Sequence, residues 1–287
     1  MSSSEQRSID YLVTRYQMEP SLKDIYVEGA EDKRVVDAFL EEHGVSGVAV
    51  FEISSVDVPR DEREGVCNRT SVIRLARKLL TSLGPERSSV ACIADSDFDH
   101  LSREIEQSAF LLMTDYANME MYFFSPTVLA RLNRDVSRDR GVTEDIWRTF
   151  MVPALQFLFR VRYVHSKLGL KIEVLPPTKL VLFADKRFVA NKDRYLERYL
   201  GRGGGSARRA EFLSELEKVS IDPELDPRCF VHAHDSVALL RWMLGKLGGG
   251  RQPFHDDCVM LGVLRGCADY KALAQEPMFA EILQRFA

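Results

Sequence analysis

Residues 89–99, SVACIADSDFD, run from an apolar stretch of strand length straight into three closely spaced acids. The six residues 89–94 read as a buried strand ending at Asp95-Ser96-Asp97. Upstream, residues 22–29 (LKDIYVEG) repeat the pattern, with a short strand over 22–27 followed at once by Glu28-Gly29. Residues 31–43 carry Val35, Val36, Phe39 and Leu40 at helical spacing, with Gly44 placed to cap the end. Residues 47–53 (GVAVFEI) form another apolar run, and a charged loop covers Asp57 to Arg69. A helix fits 71–83, stopped by Gly84-Pro85, and residues 109–114 (AFLLMT) make a fourth strand before Asp115. Strands alternating with helices imply right-handed crossovers and an α/β fold with a largely parallel sheet. In such sheets ligands bind beyond the carboxyl ends of the strands, where Glu28, Asp95 and Asp97 fall.

Those three acids carry the chemistry. Two aspartates at i and i+2, leaving a strand on a turn, can aim oxygens at one hard cation, Mg²⁺ or Mn²⁺. Glu28 can complete the metal site or handle a proton in phosphodiester cleavage. Gly29 is read as permitting a tight departure of the backbone that leaves room for a phosphate. Acids at loop starts also cap helices, and this reading stands beside the functional one for Asp32, Asp99 and Asp115.

After Pro126 the character changes, dividing the chain into an expected catalytic domain at 1–126 and a mainly helical, basic region at 127–287. Helix is expected over 127–165 with an arginine-rich break at 131–141, a strand pair within 171–190 around Pro176-Pro177, and helices at 208–218, 236–246 and 257–285. Between 160 and 210 there are 13 Lys and Arg against 4 Asp and Glu, in a chain whose net charge is −4. The rest of the chain is therefore strongly acidic, a split that suits a carboxylate metal site and a separate basic face for a polyanion. Arg160, Arg162, Lys167, Lys186, Arg187, Lys192 and Arg194 are the candidate nucleic-acid contacts. Tyr163, Phe183, Phe188, Tyr195 and Tyr199 lie among them, either to stack bases or as the core of a solvated helix.

A strand ending in Glu-Gly and a DxD after a later strand resemble the TOPRIM signature of topoisomerases, primases and OLD-type nucleases. Tyr26-Val27-Glu28-Gly29 with Glu31-Asp32-Lys33, Asp115 with Asn118-Met119-Glu120-Met121, and His234-Asp235 resemble TOPRIM-like effectors of prokaryotic anti-phage systems, in particular the PARIS-type effector subunit encoded beside an ABC-type ATPase. The resemblance spans about residues 20–125 and beyond that rests on His234-Asp235. It implies a TOPRIM-like Rossmannoid parallel sheet with a C-terminal mainly helical, partly mixed α/β extension. It also implies a Mg²⁺-dependent nuclease in which Glu28 is the acid/base and Asp95 and Asp97 bind the ion. Glu120 is a further ligand by the same resemblance, with Asp32, Asp99, Asp115 and His234 in support. The implied partners are nucleic acid (tRNA or DNA) and the ATPase; a homodimer is a further expectation. Two rivals stand: a non-catalytic TOPRIM module that docks on the ATPase, and a phosphatase or nucleotidyl transferase acting on small molecules.

Other motifs carry less. Cys229, His232 and His234 have zinc-type donors but lack a fourth at finger spacing, so a structural role is favoured, with Asp235 capping a helix from Ser236 to Lys246. His255-Asp256-Asp257-Cys258 reads as the start of the last helix. GRGGGSARR (201–209) lacks the Lys-Ser/Thr of a P-loop, and serine-hydrolase and zincin signatures are missing. Five dispersed cysteines argue against a disulfide framework and for a reducing, cytoplasmic setting. The polar N-terminus lacks the apolar core of a secretory signal, and no apolar run is long enough for a membrane helix.

Overall fold

In the computed structural model the described residues are 6–59, 67–85, 89–103, 105–106, 108–138, 141–203, 205–248, 254 and 256–287. Parts of the charged loop, of both glycine-rich stretches and of the arginine-rich break, together with His255, lie outside them. The chain begins with β1 (Arg7–Ser8) and α1 (Ile9–Met18), followed by β2 (Lys23–Val27), α2 (Ala30–Glu42), β3 (Val48–Glu52) and β4 (Val56–Asp57). Next come α3 (Asn68–Leu83), β5 (Val90–Ala94) and, after a short helix at Asp99–Ser102, β6 (Leu111–Met113).

The four-stranded sheet has the order β3-β2-β5-β6, and every pair in it is parallel. The mixed α/β class and the parallel sheet expected from the alternation are therefore present. The central strand β5 is buried throughout, as a parallel strand covered on both faces must be. Tyr26, Val90, Cys92 and Ala94 join a core with Leu12 and Tyr16 of α1 and Leu75, Ala76 and Leu79 of α3. α2 buries Val35, Val36, Phe39 and Leu40, and Phe39 packs on Phe279 with ring centroids 4.6 Å apart. Beneath β2 a buried polar knot replaces hydrocarbon. The Tyr16 hydroxyl donates to Asp24 Oδ2 (2.8 Å) and meets the Tyr26 hydroxyl at 2.7 Å. Burial pushes both phenols well above their ordinary range, so they remain neutral donors.

Two compact units result: one from the described residues of Met1–Ser96, Glu104–Asp115 and Asp269–Ala287, the other from those of Asp97–Arg103 and Tyr116–Ala268. The division therefore does not fall at residue 126. Helix Pro277–Phe286 belongs to the sheet unit, where Asp115 accepts the Met278 N–H (3.1 Å), Arg285 donates to Ala109 O (2.6 Å) and Lys23 to Phe286 O (2.7 Å).

In the second unit, helix Val152–Lys167 buries Leu155, Leu158, Phe159, Val161 and Val164. A π-turn at Trp147–Met151 leads into it, just before Pro153, whose ring nitrogen has no proton to give to Thr149 O. The expected strand pair is an antiparallel hairpin of β7 (Val181–Ala184) and β8 (Arg187–Ala190), lying wholly after the two prolines. Pro177 instead starts a 3-10 turn, Pro177–Lys179. The expected helix over 257–285 is two helices, Asp257–Gly266 and Pro277–Phe286, separated where Pro277 opens the second. Helix Lys192–Leu200 lies inside the segment read as basic surface, and its Tyr195 and Tyr199 are fully buried core residues.

Candidate active site

β2 and β5 are hydrogen-bonded neighbours, and their carboxyl ends deliver Glu28 and Asp95 together. The Asp95 N–H donates to Glu28 Oε1 at 2.9 Å, so one carboxylate oxygen of Glu28 is oriented by the backbone of the next strand. The N-terminus of α3 frames the same place. Asn68 Nδ2 donates to Glu28 O (2.9 Å) and Arg69 Nε to Asp95 O (2.7 Å). The residue after Asp95, Ser96, is wholly buried. Its N–H donates to Thr114 Oγ1 (2.9 Å) and its hydroxyl to Thr114 O (2.5 Å), fastening the end of β5 to that of β6.

Gly29 has φ −153° and ψ −178°, extended backbone open to any residue, and an added Cβ would meet only Asp32 Oδ2 at 3.9 Å. The tight departure expected at this glycine is not what the backbone does there. Asp32 accepts the Gly29 N–H (2.9 Å) and so caps its own helix. Asp115 likewise caps helix Pro277–Phe286.

The boundary between the units falls after Ser96, so Asp97 belongs to the second. Its φ of 45° is left-handed, a conformation that Asp tolerates better than most residues. The Asp97 N–H donates to Ala117 O (2.8 Å), and Asn118 Nδ2 donates to Asp97 Oδ1 (3.2 Å). Asn118 is buried, and its Oδ1 accepts the Ala233 N–H at 3.1 Å. One amide thus joins Asp97 to the start of helix Ala233–Leu247, which carries His234-Asp235. Phe98 anchors the turn against Phe159 (4.9 Å) and Tyr163 (5.6 Å). Asp99 opens the short helix Asp99–Ser102, and Glu120 sits half-buried in the 3-10 segment Met119–Phe124.

His234 is exposed and stacks on His232, with centroids 5.5 Å apart. His232 is the N-cap of its helix, its ring largely enclosed, and Nδ1 meets no hydrogen-bond partner among the described residues. Burial lowers its pKa to about 4. Asp235 does not cap the helix as expected. It is buried and takes a two-pronged bond from Arg162, at 2.5 and 2.7 Å.

Of the candidate nucleic-acid contacts, Arg162 is thereby committed to the interior. Arg160 is half-buried and donates to Leu216 O at 2.6 Å. Lys167 is exposed and paired with Glu215 (2.7 Å). Lys186, Arg187, Lys192 and Arg194 are exposed on the hairpin and the helix that follows it. The contributions of Arg69, Thr114 and Phe98 escaped sequence reading, because each acts through the backbone or through packing and carries no motif.

Carboxylate oxygens suit a hard divalent cation by chemistry. Among the described residues, however, no three His, Cys, Asp or Glu side chains gather closely enough to hold a metal ion, the Cys229, His232 and His234 set included. The donor types fit Mg²⁺ or Mn²⁺. The sequence matches no protein-family model, and no curated protein matches it.

Proposed function

We propose that this chain is a nuclease of TOPRIM type that cleaves phosphodiester bonds in RNA, such as tRNA, or in DNA. The observation that carries the reading is the bond between Glu28 and the Asp95 N–H at the carboxyl ends of adjacent parallel strands, where α/β sheets bind ligands. Glu28, with one oxygen held by that N–H, would take a proton from the attacking water or give one to the leaving oxygen. Asp95 would bring negative charge to the same strand ends, and Asp97, one residue beyond Ser96, is the third acid of the proposal. Mg²⁺ is proposed on donor chemistry alone; when bound it would neutralise charge on the phosphate. The exposed cations Lys186, Arg187, Lys192 and Arg194 would hold the polyanion. By the resemblance to PARIS-type effectors, the activity would serve anti-phage defence and be held in check by an ABC-type ATPase.

The test is cleavage of labelled RNA and DNA by the purified chain with Mg²⁺ or with a chelator, beside Glu28→Ala and Asp95→Ala. Metal-dependent cleavage reduced by about 10²-fold or more in each variant is expected. Cleavage equal in all three proteins would overturn the assignment.

A second reading is a non-catalytic docking module that binds the ATPase. It requires Glu28→Ala to leave biological activity and ATPase binding intact.

A further inference from the structure

The β7–β8 hairpin is a two-stranded ribbon whose two faces differ in purpose. Its turn places Asp185 (φ 50°) and Lys186 (φ 60°) both in the left-handed region, the geometry that matches the twist of a tight two-residue hairpin. On the inner face Phe183 and Phe188 pair (4.8 Å), and Phe188 packs against Phe150 (5.6 Å) and Trp242 (5.9 Å). Those ring contacts hold the inner face of the ribbon against the rest of its unit. The outer face should then be polar, because alternation leaves it to solvent. It is not: Leu182 and Val189 lie directly opposite each other across the ribbon and are 42% and 52% exposed. Residues 179–194 of the same stretch carry the exposed cations Lys179, Lys186, Arg187, Lys192 and Arg194, against only Asp185 and Asp193.

We propose that this ribbon seats in the major groove of a DNA duplex, an inference that rests on the nucleic-acid reading above and names the element that grips the substrate. Charge decides the class of partner. A stretch this rich in cations, in a chain of net charge −4, complements a polyanion. Shape decides the form of the duplex. Paired strands about 4.8 Å apart, with side chains, suit a groove about 12 Å wide, whereas the major groove of an A-form RNA helix is too deep and narrow for side chains. Lys186 and Arg187 at the tip, with Lys192 and Arg194 behind it, contact phosphates. Leu182 and Val189 press on sugar edges and thymine methyls, which gives an exposed aliphatic pair a use on a charged surface.

The test uses the full chain and a fluorescent DNA duplex about two helical turns long, with the matching RNA duplex, in anisotropy titrations across a KCl series. Lys186→Ala with Arg187→Ala should weaken DNA binding about 10-fold at low salt and make the log–log salt slope shallower by about 2. Leu182→Ser with Val189→Ser should weaken it about 3- to 10-fold with the slope unchanged. Both pairs are exposed, and circular dichroism checks that each variant folds. DNA affinity unchanged in both variants, or preference of the wild type for the RNA duplex, overturns the proposal. So does a dimer that Leu182→Ser with Val189→Ser converts to monomer while DNA affinity holds. Cleavage is assayed in parallel. Ribbon variants that bind and cut as the wild type does sink the ribbon alone, whereas DNA bound through the ribbon but never cut sinks the nuclease alone.

Discussion

Glu28 and Asp95, 67 residues apart, are joined by a backbone N–H that donates 2.9 Å to a carboxylate oxygen. This bond separates the charge of Glu28 from its structural role. Glu28→Gln keeps an acceptor for the Asp95 N–H, so its stability should lie within about 0.5 kcal/mol of wild type. Glu28→Ala removes the acceptor from a partly buried amide and should cost about 1–3 kcal/mol in urea unfolding. Both should abolish cleavage. A Glu28→Gln protein that is as destabilised as Glu28→Ala would show that the bond does not hold the strand ends.

Asn118 spans two partners, donating to Asp97 and accepting from Ala233. Asn118→Ala should destabilise by about 1–3 kcal/mol, because it leaves the buried Ala233 N–H unmet. Asn118→Asp keeps the acceptor but sets a second carboxylate against Asp97, and should lower activity more than stability. Hydrogen exchange at Ala233 reports the first effect and cleavage kinetics the second.

Arg162 and Asp235 form a forked pair in which the carboxylate is almost wholly enclosed. Asp235→Ala strands a guanidinium and should cost about 3–5 kcal/mol by chemical denaturation. Arg162→Met with Asp235→Leu together should recover most of that loss. Because Arg162 is inward, substituting it should change the salt dependence of nucleic-acid binding little, unlike Lys186 or Arg187.

His232 supplies a pH dependence. Its pKa is lowered from 6.5 to about 4 by burial, so the folded state holds the neutral ring while the unfolded chain protonates near 6.5. The unfolded state therefore binds more protons between these values, and the contribution of His232, complete above about pH 6.5, is lost as pH falls toward 4. The size is on the order of 3 kcal/mol. His232→Gln should flatten the stability profile from pH 6.5 to 4, and a profile as steep as wild type would assign that slope to other groups.

The sheet was legible because each of its strands is an apolar run cut off sharply: β2 by Glu28-Gly29 and β5 by Asp95. The acids of the site were legible for the same reason, being the residues that stop the strands. Helix α1 went unassigned because Ile9, Leu12 and Tyr16 are its only buried residues and polar neighbours dilute the period. Helix Lys192–Leu200 was hidden by its charge, although Tyr195 and Tyr199 at i and i+4 mark its inner face. Arg162 could not be told from a surface cation, since its partner lies 73 residues away. Asp115 looked like a site acid, and only the return of helix Pro277–Phe286 shows what it serves.

That returning helix sets an order on biosynthesis. Phe279, which packs on Phe39, and Met278, whose N–H Asp115 accepts, are translated only after the 153 residues between Tyr116 and Ala268 have been made. A ribosome that stalls anywhere in that stretch leaves Phe39 without Phe279 and the Asp115 carboxylate without the Met278 N–H. A nascent chain thus presents Glu28, Asp95 and the groups that hold them, Asn68, Arg69 and Thr114, before the helix that packs on Phe39 and is capped by Asp115 has been made.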